Sequence, residues 1–245
     1  LFVHALKSGA YAERVTGDHA MATYWQGQAE RIGQAVFRSF WDAQRGLIAD
    51  TLKKDVFSEH AQCLALLAEI LPRDCAERSL LGLVSDKDLA RATVYFSYYL
   101  FETYFKFGRP DLFLEKLNLW RGFIAEGLKT PLEAPGWRGR SECHAWGAHP
   151  LYFMQTGIAG IKPDGCGYSS VTVAPQPGGL KMVKATSPTP AGRVSVDLSF
   201  SDGTVSGTIT LPAGLPGKFI WKNESQQLNE GDNKISIRSS NKGKL

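Results

Sequence analysis

The chain has 245 residues, 43% of them hydrophobic and 21% charged, with a formal net charge of +4. That length holds two domains, or one large domain with an appendage, and the composition excludes a disordered segment. Lysine and arginine are spread along the chain, which argues against nucleic acid as a partner; no apolar run reaches the ~18 residues of a membrane span, and no signal-peptide pattern opens the chain.

The first residues, LFVHALKSGAYAERVTG, read as the interior of a helix with no cap and no initiating methionine. The expectation is an upstream portion of a larger protein, with a processed terminus as the alternative. Helical spacing covers residues 2–15 and 19–41, broken by Gly17 and by Asp18 at an N-cap position. Phe57, Ala61, Leu64, Ala65, Ala68 and Leu71 share one face of the next helix, which Pro72 ends. A shorter helix follows over residues 73–84. Residues 91–108, RATVYFSYYLFETYFKFG, are apolar or aromatic nearly all round, as in a helix buried on every side. An amphipathic helix is predicted over 112–126, and a last one from about Cys143 to Gly160.

The period then changes. GRVSVDLSFSDGTVSGTITLP alternates as a β-hairpin turning at Asp202-Gly203. SSVTVAP, LKMVKAT, KFIWKN and KISIR are further strand candidates, and residues 161–167 read as the linker. The predicted fold is mainly α with an all-β appendage: a section of a helical toroid over residues 1–161, which the resemblance given below makes a partial (α/α)6 toroid, then a small antiparallel β-sandwich over 162–245. Trp221, in an alternating strand, reads as core rather than as a stacking platform.

Chemistry concentrates in TPLEAPGWRGRSECHAWGAHP, residues 130–150. Glu133 stands between two prolines, which remove backbone donors and hold it on an extended loop. A carboxylate fixed there, near Trp137 and Trp146, is able to orient a water for attack on a sugar carbon. A surface-loop glutamate is the plainer reading of composition alone. Ser141 is a candidate N-cap, which places Glu142, Cys143 and His144 in a first helical turn, where the dipole favours a neutral imidazole. His149 reads as structural, hydrogen-bonded to the backbone at a bend. The i, i+5 spacing of the two histidines and the spacings of Cys63, Cys75, Cys143 and Cys166 match no zinc or redox pattern. No metal or cofactor is therefore assigned, and the compartment stays open. Pyranose rings stack on aromatic faces, which makes Trp146, Trp137 and Tyr99 candidate substrate contacts. Asp50, in the loop-like segment 41–51, is a candidate for the same cavity or a solvated loop acid.

GLKTPLEAP, the block from residue 140 to 196 with its His-Ala-Trp-x-x-His-Pro core, FSEHAQCLALLAEILP and TVYFSYYLFETYFKFGR together resemble the C-terminal part of bacterial α-L-rhamnosidases, glycoside hydrolase family 78. The resemblance weakens after about Pro212. It implies the end of a six-hairpin barrel followed by a β-sandwich, and inverting hydrolysis of terminal α-L-rhamnosyl residues. Thr130 and Glu133 match the family's Thr-x-x-Glu setting, so Glu133 is the implied general base. His144 matches the histidine that contacts the sugar. No stretch matches the family's general acid, which the resemblance places upstream, so this chain is expected to be inactive alone. The alternatives are another (α/α)6 enzyme with a different sugar specificity, and a non-catalytic carbohydrate-binding or structural protein.

Overall fold

The carboxylate of Asp18 accepts the Met21 backbone N–H at 2.9 Å and starts the second helix. Gly17 ends the first in a left-handed conformation, φ 99°, which a residue without a Cβ adopts freely. The computed structural model describes residues 1–135 and 141–238, and they form two compact units, Leu1–Thr103 and Tyr104–Leu245.

In the first unit, α1 (Phe2–Thr16) and α2 (His19–Phe40) make a helical hairpin, with Val3, Leu6, Ala29 and Ala68 buried against Trp25, Ile32 and Ile70. Two short strands, β1 (Trp41–Asp42) and β2 (Leu47–Ile48), lead to α3 (Glu59–Leu67) and α4 (Arg73–Ser85). The aromatic helix α5 (Ser97–Lys106) runs from this unit into the next.

Two buried polar groups tie the first unit together. Gln62 is fully buried and uses its whole amide. Its Oε1 accepts the Ile48 N–H at 2.9 Å and the Ser79 hydroxyl at 3.2 Å, while its Nε2 donates to the carbonyls of Ile48 at 2.6 Å and Ser58 at 3.2 Å. Glu59 is 2% exposed. It accepts from the Arg91 guanidinium at 2.9 Å and from the Ala92 N–H at 2.6 Å, which pins the start of α3 to the segment before α5.

The helices depart from expectation in length. Phe57 lies before α3, because Ser58 accepts the Ala61 N–H and caps the helix there. The stretch 91–108 is helical only from Ser97. The N–H of Ala92 is taken by Glu59, and Tyr95 is exposed, so this segment is not buried all round. The single helix predicted over 112–126 is divided into α6 (Pro110–Lys116) and α7 (Asn118–Ala125).

The second unit carries α6, α7, the short α8 (Pro150–Phe153) and two four-stranded sheets. One sheet has the order β10 (Gly231–Arg238), β7 (Thr204–Leu211), β6 (Gly192–Ser201), β5 (Met182–Thr189) and is antiparallel throughout. Asp202 (φ 45°) and Gly203 (φ 78°) make the expected β6–β7 turn, with both central residues left-handed. The other has the order β3 (Ile161–Pro163), β4 (Val171–Val173), β8 (Gly217–Trp221), β9 (Glu224–Leu228). It corrects two expectations. The supposed linker supplies β3, and β4 pairs with β8 in parallel, so the β region is mixed rather than antiparallel. The chain leaves this sheet to build β5–β7 and returns in the same direction, the crossover that parallel pairing needs. Val194, Val196, Leu198, Ile209, Val173 and Phe219 are buried, and Phe200 meets Trp221 at 5.2 Å. Trp221, 9% exposed, is core as expected.

Candidate functional site

Two chain arms build the site in the second unit. Residues 130–133 lie against 141–144: the Glu133 N–H donates to the Ser141 carbonyl at 3.0 Å, and the His144 N–H donates to the Pro131 carbonyl at 2.9 Å. The Thr130 hydroxyl donates to the Glu142 carbonyl. Leu132 is buried, and its neighbour Glu133 is half-buried at the start of a bend. The threonine of Thr-x-x-Glu thus acts as a clasp between the arms, a role that the sequence spacing alone does not disclose.

This pairing overturns the expected helix start. Ser141 caps no helix, because its carbonyl is taken by Glu133 and the His144 N–H by Pro131. Residues 141–144 carry a bend at Glu142 and Cys143 in place of a helical turn, and His144 (φ −109°, ψ 101°) precedes a 3₁₀ turn, Ala145–Ala148. The helix-dipole argument for a neutral His144 falls with it. The single helix expected to Gly160 is replaced by that turn, by α8 and by a π-helix, Met154–Ile158. The His144 ring meets Trp146 edge-on at 5.5 Å, and Trp146 is 62% exposed. Glu133 and His144 are thus brought onto paired arms, with Trp146 against His144. Trp137 lies outside the described residues.

Trp120 and His149 brace the turn that carries Trp146. Trp120 Nε1 donates to the Gly147 carbonyl at 2.7 Å, and its ring meets His149 at 5.5 Å. His149 Nδ1 lies 2.8 Å from the Trp146 carbonyl, and a carbonyl only accepts, so Nδ1 carries the proton. This is the structural role expected for it. Burial pushes the His149 pKa below its ordinary value, against the opposing hydrogen bond to the Trp146 carbonyl. A depressed folded value means that the unfolded chain binds the proton more readily, so stability falls as pH drops below about 6.5. Thermal melts from pH 7.5 to 5 are expected to show that loss, and His149→Asn, which keeps a donor, is expected to flatten it. An unchanged slope would contradict the assignment.

Asp50 and Tyr99 belong to the first unit. Asp50 accepts the Ser58 hydroxyl at 2.7 Å, so it steadies the residue that caps α3. Asp42 accepts the N–H groups of Gln44 and Arg45, both at 2.9 Å, within its own turn. Tyr99 sits in an aromatic row with Phe96 at 5.0 Å and Tyr98 at 5.4 Å; burial, and then its bond to Tyr95, raises its phenol pKa. The four cysteines are free thiols, and burial pushes Cys63 up to about 12, far from nucleophilic use. Among the described residues no cluster of three metal-ligating side chains exists. Among the described residues no helix is long and apolar enough to cross a membrane.

Residues 160–235 match the family model described as the bacterial alpha-L-rhamnosidase C-terminal domain. The GH78 family rhamnosidase of Bacillus sp. GL1 superposes with a TM-score of 0.77 at 24% identity, over 89% of this chain and 26% of that one. The α-L-rhamnosidase of Dictyoglumus thermophilum gives 0.78 at 18% identity, over 97% and 31%. That of Aspergillus terreus gives 0.79 at 14% identity, over 96% and 29%. No protein of curated function matches. The chain therefore spans between a quarter and a third of the length of these structures and shares their fold over that span. The likeness to these structures is thus one of fold, and the matched domain model covers the β region alone.

Proposed function

We propose that this chain is the C-terminal portion of an inverting glycoside hydrolase that removes terminal α-L-rhamnosyl residues from glycans or glycosides. In this reading Glu133 is the general base that deprotonates the attacking water. His144 and Trp146 contact the sugar, and Trp137 is a further candidate contact. The general acid belongs to an upstream part of the same protein, ~6.5–9.5 Å from Glu133 across the scissile bond. Residues 1–161 are then the end of an (α/α)6 barrel and 162–245 its sandwich domain.

The observation that carries this reading is the clasp between the arms. It holds a carboxylate between two prolines, at the start of a bend, and ties its segment to the histidine arm through two backbone hydrogen bonds. A base that acts on water needs a fixed position and an ionised carboxylate more than it needs burial. An exposed indole beside the histidine offers the flat apolar face that a sugar ring stacks on. The test is hydrolysis by the complete protein of an aryl α-L-rhamnoside, beside the aryl α-L-arabinopyranoside and β-D-glucoside. Preference for the rhamnoside is expected. Activity on none of the three would favour a carbohydrate-binding role.

A further inference from the structure

The exposed ring of Trp146 stands on the 3₁₀ turn Ala145–Ala148, and two rings outside that turn hold its backbone. Hydrogen-bond geometry within a 3₁₀ piece is poor, so the position of such a turn depends on what it is tied to. Here the ties fall on two successive carbonyls. His149 Nδ1 donates to that of Trp146 at 2.8 Å, and Trp120 Nε1 donates to that of Gly147 at 2.7 Å. The two rings meet edge-on at 5.5 Å. His149 in turn meets the buried Phe153 at 6.3 Å, and Phe153 stacks on the buried Phe105 at 5.7 Å. The turn is thereby anchored to the aromatic core of the second unit.

A tryptophan that merely filled the core would also need an acceptor for its N–H. What distinguishes Trp120 is where that acceptor lies. An indole has a single donor and no acceptor, and this one is spent on the residue next to Trp146. Trp146 is 62% exposed, so burial alone does not set its ring, and its 5.5 Å edge contact with His144 depends on the turn keeping its place. Trp120 itself lies on α7, 27 positions ahead of Gly147.

We propose that Trp120 is a positioning residue for sugar binding: through the Gly147 carbonyl it holds the turn so that the face of Trp146 meets the sugar beside His144. A ring already fixed loses little freedom when a sugar stacks on it, whereas a ring on a loose turn must be ordered at the moment of binding. Trp120 therefore acts on affinity, through Trp146, and touches neither the sugar nor the attacking water. The inference rests on the reading in which Trp146 contacts the sugar, and it asks nothing of Glu133.

The test is calorimetric binding of methyl α-L-rhamnoside to the complete protein, beside steady-state hydrolysis of the aryl α-L-rhamnoside. Trp120→Phe keeps a ring in place and removes the N–H. It is expected to weaken binding and raise KM about fivefold to tenfold, the worth of one hydrogen bond, with kcat little changed. Trp146→Ala is expected to weaken binding at least as much. Adding Trp120→Phe to it should then cost no further affinity, because a residue that acts through Trp146 has no other route. Additive losses, or a Trp120→Phe form that binds like wild type while Trp146→Ala does not, would overturn the proposal and leave Trp120 a core residue. Binding unchanged in Trp146→Ala, or absent in wild type, would sink the sugar contact and the proposal with it. Weakened binding in Trp120→Phe where no form hydrolyses the rhamnoside supports the proposal and sinks Glu133 as base alone. If Trp120→Phe unfolds, His149→Phe, which removes the bond to the Trp146 carbonyl, carries the same test.

Discussion

Glu133→Gln in the complete protein is expected to lower turnover of an aryl α-L-rhamnoside about 10²–10⁴-fold, with KM little changed. The substitution keeps the shape of the side chain. It also spares the clasp, because the arms are joined through the Glu133 backbone N–H, the Pro131 carbonyl and the Thr130 hydroxyl. What is lost is the basic oxygen. That group acts on a water as the transition state forms, so kcat and kcat/KM should fall together. Steady-state kinetics read both. Near-normal turnover would remove Glu133 from the chemistry, whereas a rise in KM alone would make it a binding group.

The second large effect concerns stability. Glu59→Ala is expected to destabilise the protein by about 1–3 kcal/mol, the range for leaving a buried hydrogen-bonding group without its partner. Glu59 is buried to 2% exposure, and its two oxygens serve two different donors, the Arg91 guanidinium and the Ala92 N–H. Removing the carboxylate leaves that N–H without its acceptor and loosens the attachment of α3 to the segment ahead of α5. Arg91 is half-exposed and can turn to water. Arg91→Ala, by contrast, leaves a carboxylate buried with one partner fewer. Denaturant melts of the two single variants and the double variant separate the coupling from the cost of each alone. A loss below about 1 kcal/mol for Glu59→Ala would show that the carboxylate is not what holds these segments together.

Caps, turns and alternation were legible in the sequence because each is a local signal. Asp18 after Gly17 and the left-handed pair Asp202-Gly203 stand where their chemistry places them. The alternation of Val194, Val196 and Leu198 reports one buried face. What the sequence hid was pairing at a distance. Ser141 has the chemistry of an N-cap, but its carbonyl is taken by an arm eight residues earlier, and that long-range bond outweighs the local preference. Ala92 lost its place in a helix in the same way, to a carboxylate 33 residues away. β3 was hidden for a related reason: three residues beside Asp-Gly show no alternation, and only their partners in β4 make them a strand.

The candidate site divides along the same line. The proposal of Glu133 rests on its flanking prolines and that of His144 on the motif around it, and both features are contiguous in the sequence. The threonine clasp and the Trp120 bond to the turn bearing Trp146 depend on residues 12 and 27 positions apart. Asp50 had the residue type of a sugar ligand, yet its carboxylate accepts from the serine that caps α3.

The central claim is that Glu133 activates water for direct displacement at the sugar carbon. Its most direct test is the anomeric form of the first sugar released from an α-L-rhamnoside by the complete protein, read by proton NMR before mutarotation. A general base acting on water gives inversion, so the β anomer should appear first and the α anomer only later. An α anomer released first would mean a covalent intermediate and a nucleophile in place of the base, and would contradict the account.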